Sequence, residues 1–139
     1  MFAVMHNPTA AYNKVGIETG VQAADPHKLI LMLFEGAMIS VSAASLHMEH
    51  EEIAPKGEAI SKAINIITNG LKASLDMNVG GELAVKLDAL YEYMVNRLLF
   101  ANLNNNQAAL GEVSHLLAEL KSAWEQIGQQ ANAVQPHAA

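Results

Sequence analysis

The sequence has no cysteine, which excludes disulfides, thiolate catalysis and Cys-ligated zinc and fits a reducing cytoplasm. Charge is also scarce. Charged residues make up 16% of the 139, the balance is −6, and no basic tract occurs. Binding to nucleic acid draws on counterion release by clustered Lys and Arg, so a nucleic-acid partner is not expected. The opening MFAVMHNP has neither a charged n-region nor a long apolar h-region, so it does not read as a signal peptide. Strand-like alternation, internal repeats and a Gly-rich phosphate loop after a strand are all missing.

Apolar residues are abundant, at 51% of the chain, enough for one domain with a proper core. The stretch DPHKLILMLFEGAM, residues 25–38, concentrates them. Asp25 suits an N-cap and Pro26 the first helical position, and six large apolar residues then run unbroken over 29–34. A surface helix needs apolar residues at only about three positions in seven, so this helix carries a surplus. Residues 29–46 are eighteen in a row with one charge, Glu35, which reaches the length of a membrane span. Ser40, Ser42 and Ser45 and the fall in hydrophobicity after Val41 argue instead for a helix covered by protein, with no stable membrane insertion.

Four helices are expected at 26–48, 55–75, 82–103 and 107–127. In the first, Ile30, Phe34, Ala37, Val41, Ala44 and Met48 share one stripe, and Met32, Ile39 and Leu46 recur every seven residues on the opposite side. The second carries Ile60, Ile64, Ile67, Leu71 and Leu75 on one stripe, flanked by Ala59, Ala63, Gly70 and Ser74. In the third, Leu83, Leu87, Leu90, Met94, Leu98 and Ala101 form the expected core stripe, widened by Tyr91, Val95 and Leu99. The fourth turns Val113, Leu117, Leu120, Trp124 and Ile127 inward and Glu112, His115, Glu119 and Gln126 to water. The Gly80-Gly81 pair and the four asparagines in 102–106 break the pattern between helices. The pattern predicts an all-α protein: an antiparallel up-down-up-down four-helix bundle over 25–127, with an irregular N-terminal arm, 1–24, and a disordered C-terminal tail, 128–139.

Chemistry finds little support. A di-iron bundle needs two inward Glu-x-x-His motifs, and only Glu112 and His115 offer one, facing away from the core stripe. His47 and His50 lie in the acidic HMEHEE and read as a solvated helix end. No catalytic residue, metal or cofactor is expected. The surplus on the first and third helices points to a binding module that accepts amphipathic helices in grooves, unless these helices are simply more buried or the arm covers them. Self-association through the second stripe and association with a membrane remain open. The candidate groove residues are Met32, Ile39 and Leu46 with Tyr91, Val95 and Leu99.

Several stretches go further. DPHKLILMLFEGA resembles the signature of the flagellar secretion chaperones that hold flagellin, the FliS family, whose usual entry is Ser-Pro-Glu-Lys-Leu. GEAISKAINIITNGLKASLDM, GGELAVKLDALYEYMVNRLLFANLNNN and LAELKSAWEQI resemble that family's later helices in colinear order. Asp25 replaces the usual Ser, Ala23 a common Thr, and Phe34-Glu35 a usual Tyr-Asp; the arm keeps one aromatic, Tyr12, with Thr9 at the other place. The resemblance implies a cytoplasmic chaperone, not an enzyme, acting as a monomer or weak homodimer without cofactor. It implies binding of the flagellin C-terminal helical region, prevention of premature polymerisation, and delivery to the flagellar export gate. It also implies an arm that covers part of the binding surface, with Tyr12 as the export-gate contact.

Overall fold

Asp25 starts the first helix as its sequence suggests: its backbone is extended and its carboxylate accepts the Lys28 N–H at 2.8 Å, with Pro26 next in line. In the computed structural model, which describes residues 25–134 and side-chain surroundings to Gly128, α1 spans Pro26–Glu49. Its buried face contains the whole expected stripe, Ile30, Phe34, Ala37, Val41, Ala44 and Met48, together with Leu29, Leu33 and Ser40. The Ser40 hydroxyl returns a hydrogen bond to the Gly36 carbonyl. By length and composition α1 could cross a membrane, but its apolar stripe is spent on packing against α2 (Ile53–Asn65) and α4 (Gln107–Val134). The reversal after α1 passes through Glu51 at φ 56°, and the Glu52 carboxylate accepts from His47 Nδ1 at 2.6 Å.

α2 runs without a break into a π-helical segment, Ile66–Lys72. The wider i→i+5 turn lets the consecutive Ile66 and Ile67 both sit in the core beside Gly70 and Leu71. The expected stripe of α2 is buried except for the half-buried Ile64. After it, the Asp76 carboxylate accepts from the backbone N–H of Asn78 and of Val79, and Gly81 at φ +58° begins α3, Gly81–Asn104.

The asparagine run divides its labour. Asn105 adopts the left-handed conformation that ends α3, while Asn106 caps α4 by accepting the Ala109 N–H at 2.8 Å. Lys56, 5% exposed, reaches from α2 to this turn and donates to the Asn102 carbonyl at 3.1 Å and to the Asn105 side chain at 2.6 Å. A buried cation is thus set at the negative end of the α3 dipole. Among the described residues the result is a four-helix, all-α bundle in which α1 packs on α2 and α4, and α3 on α4 and the π-helical segment.

Two expectations need correction. Of the expected stripe of α3, Met94, Leu98 and Ala101 are buried and Leu87 and Leu90 half-buried, but Leu83, at the start of the helix, is exposed, and Ala84 and Tyr91 join the buried face. Apolar residues occupy more than half of the circumference of α3, and the pattern alone did not select among neighbouring faces. The fourth helix also continues past the expected end at 127 to Val134, because GQQANAV contains Ala and Gln, good helix formers, and no proline. Residues 1–24, which include Tyr12, and residues 135–139 lie outside the described residues.

Candidate partner-binding surface

α1 presents the residues expected opposite its core. Ile39 is 69% exposed and Leu46 53%, while Met32 is half-buried. On α3 the candidates separate. Leu99 is exposed, Val95 is half-buried, and Tyr91 is 1% exposed in the core. Tyr91 therefore offers no surface in this conformation, and burial pushes its phenol well above the ordinary range. α3 also exposes side chains that were not among the sequence candidates: Val85, Tyr93, Phe100 and Leu103, the last 83% exposed. Their signal was present as apolar residues off the core stripe; Val85 and Leu99 are two heptads apart and Leu103 is one turn further.

These residues do not form two walls of one groove. α1 and α3 sit diagonally in the bundle, since each packs on the intervening helices. The exposed stripe of α1 points away from its core face. A partner that covers both stripes must wrap around the bundle rather than lie in one cleft.

Polar ties hold α3 in place beneath its exposed face. Both oxygens of Glu112 on α4 are used: one accepts from the Tyr93 hydroxyl at 2.5 Å and the other from Arg97 Nε at 2.8 Å. The Arg97 guanidinium lies over the Phe100 ring, 4.7 Å from its centroid. On the other flank Lys72 pairs with Glu92 at 3.0 Å and Asp88 at 3.6 Å, and the hydrogen bond it donates to Glu92 raises its pKa. Glu112, expected to face water, thus holds two side chains of another helix. No group of three His, Asp or Glu side chains able to hold a metal occurs among the described residues, and His47 is taken up by Glu52.

The Glu112 tie has a pH signature. The hydrogen bonds from Tyr93 and Arg97 hold its carboxyl below the usual carboxylate range. A depressed folded pKa gives stability that is fully present above the ordinary carboxylate pKa and is lost as the pH falls below it. The difference in melting temperature between wild type and Glu112→Gln should therefore be constant above about pH 5 and shrink towards pH 3. A difference that does not change across this window would show that the carboxylate form is not the one being held.

Residues 8–131 match the family described as flagellar protein FliS. The chain is similar to the flagellar secretion chaperone FliS of Salmonella typhimurium, with 51% identity over 122 residues, 88% of this chain and 90% of the relative. It is 49% identical over 116 residues to the flagellar secretion chaperone FliSB of Pseudomonas aeruginosa, covering 84% of this chain and 91% of that one. The similarity extends to FliS of Bacillus subtilis at 34% identity over 122 residues, 88% and 86% of the two chains.

Proposed function

The chain belongs to the FliS family of flagellar secretion chaperones, and on that premise we propose that it binds the C-terminal helical region of newly made flagellin in the cytoplasm, keeps it from polymerising early and delivers it to the flagellar export gate. The supporting observation is apolar surface left over on a bundle whose core is already complete. Ile39 and Leu46 on α1 and Leu99 and Leu103 on α3 are exposed although the helices that carry them are fully packed on their inner sides. Each such side chain gains roughly 1.5–3 kcal/mol when a client covers it. Ordering a flexible client costs about 2–5 kcal/mol or more, so several contacts on both faces are needed. A preformed surface spares the chaperone an ordering cost of its own.

Met32, Ile39, Leu46, Val95 and Leu99 are the residues we assign to client contact, and Tyr12, by family resemblance, to the export gate. Binding and handover need no catalytic step and no cofactor, and a monomer or weak homodimer suffices. Titration of the purified protein with the flagellin C-terminal segment should give a stoichiometry near 1:1 by calorimetry and a gain in helix by circular dichroism. No heat and no added helix would remove the flagellin assignment.

A further inference from the structure

The outer face of α3 has a pattern of its own. Val85, Ala89, Glu92, Asn96, Leu99 and Leu103 are all exposed. They alternate at spacings of four and three residues, which is the seam pattern of a two-stranded coil. At roughly 100° per residue they fall within a sector of about 80°, on the side of the helix away from Tyr91, Met94 and Leu98. The two ends of this seam are apolar and its middle is polar.

The seam complements itself when reversed. Laid antiparallel on a second copy, with the twofold axis level with residue 94, Val85 meets Leu103, Ala89 meets Leu99 and Glu92 meets Asn96, and each pair occurs twice. Apolar pairs close both ends, a small residue faces a large one, and the Asn96 amide can donate to the Glu92 carboxylate. Lys72, already paired with one oxygen of Glu92 at 3.0 Å, reduces the charge that the seam must cover. Other arrangements lose the match. A parallel pair sets Glu92 against Glu92, and like charges placed face to face repel. An antiparallel pair slipped by one heptad in either direction sets both Glu92 and Asn96 against aliphatic side chains, which leaves two polar groups unpaired.

We infer that the outer face of α3 is a self-association surface, and that its occupant is α3 of a second copy, antiparallel and in this register. The seam is only about 27 Å long and contributes a single helix from each copy, so the pair is a weak one that forms at high concentration. The inference needs no client. Leu99 also belongs to the surface assigned above to the client, so pairing and client binding exclude one another there; that consequence alone rests on the chaperone reading.

The chain has no cysteine, so the pair can be trapped with introduced ones. Within one chain residues 85 and 103 lie about 27 Å apart along α3, far beyond the reach of a disulfide. Mild oxidation of the full chain carrying both Val85→Cys and Leu103→Cys should give disulfide-linked dimer, at least about tenfold more than either single variant gives. A single variant that cross-links as readily as the double one overturns the register, and no dimer from the double variant overturns the surface. In sedimentation equilibrium the apparent mass of the wild type should climb with concentration towards that of a dimer, and Leu99→Lys should stay monomeric. Ile53→Lys, at an exposed apolar residue of α2 outside the seam, should behave as wild type. A wild type that is monomeric at every concentration, or equal loss of association in the two Lys variants, also overturns the inference. No client is present in either measurement, so such a result leaves the chaperone reading intact.

Discussion

Phe34→Asp should unfold the protein, and Ile39→Asp, five residues along the same helix, should leave it folded. Phe34 is 2% exposed and packs in a core cluster shared by all four helices. The substitution removes a packed ring, worth about 3–5 kcal/mol by the usual large-to-small scale. It also places an unpaired carboxylate in that space, which costs several kcal/mol more unless the group takes up a proton. A domain of this size has a total stability of about 5–15 kcal/mol, so the sum reaches or exceeds what is available.

Ile39 is 69% exposed on the opposite side of α1. An aspartate there stays hydrated, and Glu35, one turn back, adds only a few tenths of a kcal/mol of like-charge repulsion. The expected loss of stability is below about 1–2 kcal/mol. Client binding should fall by about tenfold or more, since one apolar contact is replaced by a charge that the client would have to desolvate. Far-ultraviolet circular dichroism and denaturant melts of both variants decide the assignment of faces. A folded Phe34→Asp beside an unfolded Ile39→Asp would mean that α1 is turned the other way.

The contrast between these two positions could be read from the sequence because α1 carries its own markers. Asp25 and Pro26 fix where the helix begins, and the Ile30-to-Met48 stripe contains its only aromatic residue, so little freedom remains. α3 was harder for a physical reason. Leu83, Leu87, Leu90, Tyr91, Val95 and Leu99 cover a broad sector, and the pattern alone does not say that Tyr91 is buried while Leu83, at the start of the helix, is exposed. Polar pairings of Lys72 with Glu92 and of Glu112 with Tyr93 and Arg97 tie α3 to its neighbours, and they depend on which helices are adjacent. The π-helical segment leaves no residue signature beyond two adjacent isoleucines that both need burial. The binding surface was legible as surplus on α1 and α3, but its division between two diagonal faces is a property of the bundle and not of either helix.

The junction between the start of α1 and the far part of α4 gives the second large effect. His27 and Trp124 stack with ring centroids 4.9 Å apart and planes inclined by 11°. The indole N–H donates to the His27 carbonyl at 2.9 Å, and His27 Nε2 lies 2.6 Å from the Trp124 carbonyl. A carbonyl can only accept, so Nε2 carries a proton and the imidazole is held at both its face and its edge. Gly128, one turn beyond Trp124, is what lets the ring in, because a Cβ at that position would overlap the imidazole. Gly128→Ala should therefore destabilise the protein by about 1–3 kcal/mol, although alanine is the better helix former. In a His27→Ala background the obstacle is gone and the sign should reverse. There Gly128→Ala should stabilise by up to about 1 kcal/mol, so the two sites should be coupled by about 1–4 kcal/mol in a double-mutant cycle. Trp124 is the single tryptophan of the chain, so its emission reports the same junction during the melts. If Gly128→Ala stabilises the wild type as well, the imidazole is not held between Trp124 and Gly128.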